Sequence, residues 1–112
     1  MDDCVFCKII KGEIPSKKVY EDDDILAFCD INPIAKVHVL VIPKKHITSL
    51  LELKKEDKDL FFHIFNKINE IAEMIGVAKT GFRVISNVGE DSGQAVKHLH
   101  FHILGGEKLP TR

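Results

Sequence analysis

No apolar run in this sequence approaches the ~20 residues that a bilayer-spanning helix needs. The chain begins Met1-Asp2-Asp3, acidic where a secretory leader is basic. No basic block occurs: 16 Lys and Arg stand against 17 Asp and Glu, for a net charge of −1. Electrostatics therefore favour neither nucleic acid nor a membrane surface as partner. Cysteine is scarce, three in 112 residues, too few for a disulfide framework. There is no internal repeat and no linker, so one domain over residues 1–112 is expected, large enough to bury a usable core. These absences fit a cytoplasmic globular protein, and 45% hydrophobic beside 29% charged residues agrees.

What is present is a set of short extended segments around one helix. Residues 4–12 read as a short helix closed by Gly12 and by the following Ile14-Pro15. Residues 19–21 are a brief strand, 21–24 an acidic hairpin turn, and 25–30 the next strand, stopped by Asn32-Pro33. His38-Val-Leu-Val-Ile42 is a buried type of strand ended by Pro43, and Thr48-Ser49 help cap a turn beyond it. One long helix is predicted over 56–75, because Leu60, Phe61, Ile64, Phe65, Ile68, Ile71, Ala72 and Ile75 recur at three and four. Gly76 is placed to stop it. Phe62 lies outside that stripe and points to a second buried surface, such as a dimer contact, while His63 reads as a surface residue. Residues 82–87 make a further strand and 88–93 a loop. Strands clustered about one helix and joined by tight turns indicate α+β with an antiparallel sheet.

Two places carry residue types that a core does not need. Cys4 and Cys7 form a C-x-x-C, which reads as redox-active, metal-binding or accidental. A zinc site needs two more ligands, for which His38, His46, His63 and the C-terminal histidines are available. Cys29, between Phe28 and Asp30, reads as a small core residue. In residues 94–106, His98, His100 and His102 alternate with Leu99, Phe101 and Ile103. Such alternation marks a strand with two faces, so three imidazoles share one side, about 6.5–7 Å apart at ~3.3 Å rise per residue. That face suits either a metal held by an H-x-H pair or a nucleophilic imidazole acting on a phosphoryl group. Gly89, Gly93, Gly105 and Gly106 flank it and permit backbone N–H groups to approach an anion.

The stretch resembles the histidine triad (HIT) family of nucleotide hydrolases and transferases. The likeness rests on His-x-His-x-His followed by two apolar residues, and Gly93-Gln94 before it with Leu104-Gly105-Gly106 after it resemble the Hint branch. It extends to Cys4-Val-Phe-Cys7-Lys-Ile-Ile-Lys-Gly-Glu-Ile-Pro15, Tyr20-Glu-Asp-Asp, Phe28-Cys-Asp-Ile-Asn-Pro33 and Val41-Ile-Pro-Lys-Lys-His46, in family order over nearly the whole chain. The resemblance implies a five-stranded antiparallel sheet with one long and one short N-terminal helix, extended across a two-fold in a homodimer. Bacterial relatives pair the C-x-x-C with two histidines, which here implies a structural zinc site at Cys4, Cys7, His46 and His98, and no organic cofactor.

It implies roles as well. His100 would be the nucleophile, His102 a contact to phosphate oxygens, and His38 a hydrogen-bonding partner within the site. Asp30 resembles the carboxylate that accepts the ribose hydroxyls. Phe6, Ile9, Phe28, Ile31 and Leu40 resemble the wall around a purine, although each also suits a core. Asn87, Gly93 and Gln94 resemble polar groups at the phosphate. Ala95 is a departure, because some relatives have a serine there; the missing hydrogen bond, ~0.5–1.5 kcal/mol, bears on rate and leaving group. The chain also lacks the tryptophan that ends some Hint proteins, which would leave that side of the pocket more open. The implied activity is cleavage of AMP- or GMP-linked amines at the α-phosphorus through a nucleotidyl-histidine. Three alternatives stand beside it: a dinucleoside polyphosphate hydrolase of the Fhit branch, against which Gly105-Gly106 argue, a zinc-containing nucleotide-binding interaction protein, and a metal-dependent hydrolase using the H-x-H face.

Overall fold

The structure, a computed structural model, describes residues 4–111. Strands β1 (Lys18–Glu21), β2 (Ile25–Cys29), β3 (Val37–Pro43), β4 (Phe82–Ile85) and β5 (Phe101–Gly105) form one sheet in the order β1-β2-β3-β5-β4. Every neighbouring pair is antiparallel. Helix α1 (Val5–Ile10) precedes the sheet and α2 (Lys58–Met74) connects β3 to β4. This is the α+β class read from the sequence, with its five strands, one long helix and short N-terminal helix.

The central strand explains the layering. β3 is a nearly unbroken apolar run and six of its seven residues are buried, so both faces need cover. On one face Val39 and Val41 join Ile25, Ala27, Phe101 and Ile103 under Ile64, Ile68, Ile71 and Ala72 of α2. On the other, Leu40 and Ile42 join Leu26 and Phe28 under Phe6 and Ile9 of α1. Among the described residues no helix is long and apolar enough to cross a membrane.

The ends of α2 follow from local chemistry. Gly76, at φ +78°, lets the chain reverse, and the N–H groups of Gly76 and Val77 return to the carbonyls of Glu73 and Ala72 at 3.2 and 3.0 Å. The helix begins at Lys58 rather than 56, because a 3₁₀ turn over Lys55–Asp57 comes first. Buried Asp57 accepts the Lys54 N–H at 3.0 Å and the Lys45 ammonium at 2.6 Å, which anchors the segment leading to His46. His63, read as a surface residue, is half-buried and bonds the Asp22 carboxylate at 2.8 Å, fastening α2 to the β1–β2 turn. Burial opposes ionisation of Asp22, but bonds from the Asp24 N–H, the Tyr20 hydroxyl, His63 and the Ile25 N–H outweigh it and hold its carboxyl well below the usual range.

The triad stretch differs from the predicted strand. Regular pairing begins only at Phe101, so His102 lies in β5 while His98 and His100 precede it. There the backbone turns to other partners: the Leu99 N–H donates to the Ile47 carbonyl at 2.6 Å, and the His100 carbonyl accepts the Ser86 hydroxyl at 2.8 Å. The division of faces persists, with Leu99, Phe101 and Ile103 in the core beneath α2. The His100 and His102 rings lie 5.0 Å apart, closer than strand rise predicts, because they tilt edge to face at 68°. β4 likewise ends at Ile85, short of Asn87. Packing requires glycine at 105 and 106: added Cβ atoms would lie 2.8 Å from side-chain carbons of Val77 and Val37.

Candidate functional site

The β3–β5 register sets Leu40 opposite His102 and His38 opposite Leu104. His38 and His102 are thus diagonal neighbours on one face, and their nitrogens, Nε2 and Nδ1, meet at 2.8 Å. Their protons can be placed in order. The Ile34 backbone N–H points to His38 Nδ1 at 3.2 Å, and a backbone N–H only donates. His38 Nδ1 is therefore the acceptor, and its proton sits on Nε2, which donates to His102 Nδ1. That places the proton of neutral His102 on Nε2, an atom that is buried and has no partner. His100 is set the opposite way: its Nδ1–H donates to the His98 carbonyl at 2.7 Å, which leaves the lone pair on Nε2.

Burial enforces neutrality. It pushes the His38 pKa down, partly offset by the Asp30 charge. It pushes that of His102 down to about 4, with help from His100 and His38. Asp30 accepts the Asn32 N–H on Oδ1 at 2.8 Å and lies 3.4 Å from His38 Nε2 through Oδ2. Spare lone pairs on an acceptor-only group remain for hydroxyl protons.

These groups occupy one end of a cavity of about 500 Å³ between α1, the end of β2 and the segment before β5. Phe6, Ile9, Phe28 and Leu40 line it as apolar walls, and Ala95 and Val96 close one side. Ile31 and Ile34, 90% and 75% exposed, stand at its rim. Phe6 packs edge-on to His100, with ring centres 5.1 Å apart.

Asn87, Gly93 and Gln94 do not line this cavity. Asn87 is half-buried beyond the end of β4. Gly93 closes the 3₁₀ turn Glu90–Ser92 at φ +84°. The Gln94 amide is committed within the protein: its NH₂ donates to the Thr48 carbonyl at 2.7 Å and the Val96 carbonyl at 3.1 Å, while its oxygen accepts the Gly89 N–H at 2.9 Å. It lines a separate groove with Thr48, Glu52, Glu90 and Lys97. Conversely, Ile14, Ser16, Ile34 and Val96 line the cavity although the sequence reading passed over them. An isoleucine isolated in a polar loop, as at 14 or 34, was the available signal; Ser16 offered none. Cys29, read as core, both packs beneath α2 and borders the cavity.

Beside the cavity lies a second cluster. Cys4 is the N-cap of α1, and its sulfur accepts the Cys7 N–H at 3.3 Å. His98 Nδ1 is 3.2 Å from Cys4 Sγ and 3.6 Å from Cys7 Sγ, and His46 Nδ1 is 3.3 Å from Cys7 Sγ. All four donor atoms lie within 4.8 Å of one another. Tetrahedral bonds of ~2.3 Å to sulfur and ~2.0–2.1 Å to nitrogen require S···N separations of about 3.6 Å, so the set is sized for a metal. His98 Nε2–H donates to the Pro43 carbonyl at 2.8 Å, which frees Nδ1 to face the sulfurs. Burial and the adjacent Cys4 push the Cys7 thiol up to about 11, so two thiolates side by side call for a cation.

The HIT domain family model matches residues 11–109. This chain belongs to the HIT family. A histidine triad protein from Clostridium difficile superposes with a TM-score of 0.95 at 57% identity, covering 100% of this chain and 97% of that one. A HIT family hydrolase from Clostridium thermocellum does so at 0.96 and 46%, with the same coverage. HitA of Neisseria gonorrhoeae is 46% identical over 105 residues, 94% of this chain and 97% of that protein. The matched HIT domain contains all three triad histidines, His38 and Asp30, whereas Cys4 and Cys7 precede it.

Proposed function

We propose that this HIT protein hydrolyses nucleoside phosphoramidates and related nucleotidyl conjugates, of the AMP- or GMP-amine type, through a covalent intermediate on His100. The observation that carries the reading is the division of protons among the histidines: Nε2 of His100 bears a lone pair, and the buried Nε2 of its neighbour His102 bears an N–H with nothing to donate to. A phosphoryl group satisfies both. His100 Nε2 attacks the α-phosphorus as the phosphorus–nitrogen bond breaks, and the His102 N–H donates to a phosphoryl oxygen. Water then displaces His100; over both steps it supplies the oxygen that ends on phosphorus and the proton that ends on the amine. Asp30 takes the sugar hydroxyls, and Phe6, Ile9, Phe28, Ile31 and Leu40 enclose the base. The hydrolase name of the Clostridium thermocellum relative supports the reaction type.

The test is chemical. Protein mixed with α-phosphorus-labelled AMP-amine and denatured in alkali should carry label on His100. Activity lost to a chelator in still-folded protein, with no labelled histidine, would overturn the assignment in favour of a metal-dependent hydrolase.

Zinc suits the Cys4, Cys7, His46 and His98 set, where it cross-links α1 to the segments before α2 and β5. A homodimer is supported by Phe62, 72% exposed on α2, and by Val84 on β4, the sheet edge nearest the triad. Sedimentation as a monomer at micromolar concentration would remove that part of the proposal. A cytoplasmic location fits the scarcity of cysteine and the reduced thiols such a metal site requires.

A further inference from the structure

Among the described residues, two buried side-chain polar atoms lack a partner: His102 Nε2 and Ser16 Oγ. Both residues line the same cavity, the first at its histidine end. Ser16 has no place in the phosphoryl chemistry, and a buried hydroxyl without a partner is costly, so packing alone does not account for it.

Register shows where Ser16 stands. Lys18 pairs with Phe28, and the Cys29 N–H donates to the Lys17 carbonyl at 3.0 Å, so the β1–β2 ladder runs one step beyond the assigned strands. Continued one step further, that register sets Ser16 opposite Asp30, and both line the cavity. Side chains directly opposed in this way leave the same face, with Cβ atoms about 4.5–5.5 Å apart. Asp30 can only accept hydrogen bonds, whereas a serine hydroxyl both donates and accepts. Together they complement a pair of neighbouring hydroxyls.

We infer that Ser16 is a specificity-determining residue, whose hydroxyl bonds the sugar edge of the bound nucleoside beside Asp30. The inference rests on the nucleotide reading above. The Ser16 oxygen is buried without a partner, and a single side-chain torsion, χ1, sets where its hydroxyl points.

Calorimetric binding of AMP, 2′-deoxy-AMP, 3′-deoxy-AMP and GMP to wild type and Ser16→Ala tests it. AMP should bind the variant about fivefold more weakly, and the difference should fall below about twofold on the deoxy analogue that lacks the contacted hydroxyl. The melting temperature should hold or rise, since the variant removes an unpaired buried group; a merely structural serine would lower it. Equal losses on AMP and both deoxy analogues, or no loss on AMP, would overturn the inference. A change confined to the AMP/GMP ratio would move the hydroxyl to the base and overturn it as well. Wild type that binds none of the four would instead refute the nucleotide reading itself.

Discussion

The two histidine clusters grow from the same few residues and end in opposite states. His98 and His100 are two positions apart, and the carbonyl of the first holds the ring of the second. At the cysteine–histidine cluster the polar atoms turn toward one another: both sulfurs approach His98 Nδ1, and its far nitrogen is tied to Pro43. At the cavity the hydrogen bonds instead run in series and stop one short, with a lone pair on His100 and an N–H on His102 left over. A closed donor set holds structure and an interrupted one is ready to react. The difference lies in how the rings are partnered, since imidazole serves in both.

Crossed substitutions give the largest effects. His100→Asn should cut turnover by at least about 10³-fold while nucleotide affinity and melting temperature stay near wild type, because the proposed sugar and base contacts lie elsewhere. Paired Cys4→Ser and Cys7→Ser should do the reverse. The metal, about one per chain in wild type, should be lost, and the melting temperature should fall by about 15 °C, while turnover per folded molecule falls far less. Calorimetry, metal analysis and single-turnover kinetics on the three proteins read both columns. Turnover lost equally with the cysteines would mean that the clusters act as one unit.

A smaller effect separates the clusters by pH. His38 and His102 are neutral in the fold, with pKa values lowered by burial, that of His102 to about 4. Below their ordinary value near 6.5 the unfolded chain binds protons that the folded one refuses, so stability is full above that pH and falls as pH drops toward 4. The loss from His102 should be about 1–2 kcal/mol, because solvent screening of this half-buried ring reduces the full effect. Urea midpoints at pH 7, 5.5 and 4.5 measure it, preferably in His98→Asn, where metal release does not contribute. A flat profile would mean that the cavity histidines are not held neutral.

Much of the fold was legible because it is written at short range. The three-and-four recurrence from Leu60 to Ile75 foretold α2, and Gly76 its end. The apolar run at 38–42 foretold a strand buried on both faces. What the sequence did not show also shares a cause. Gln94 reads as a phosphate ligand, but its amide is taken by Thr48, Val96 and Gly89, and nothing in the local sequence shows that Thr48 comes near. The Gly105-Gly106 pair reads as an anion loop, yet Val77 and Val37 press against it.

By itself the sequence determined that three histidines would share a face opposite Leu99, Phe101 and Ile103, because alternation along an extended chain is a property of the backbone. It likewise determined where α2 would run, since a helix is closed by bonds four residues apart. Only the tertiary structure decided which ring nitrogen carries each proton. Those choices depend on partners far along the chain: His38 is 64 residues from His102, and Cys7 is 91 from His98. Sheet register and the docking of α1 bring them together. No local pattern specifies either, and it is there that the lone pair of His100, the free N–H of His102 and the Cys4, Cys7, His46 and His98 cluster acquire their separate characters.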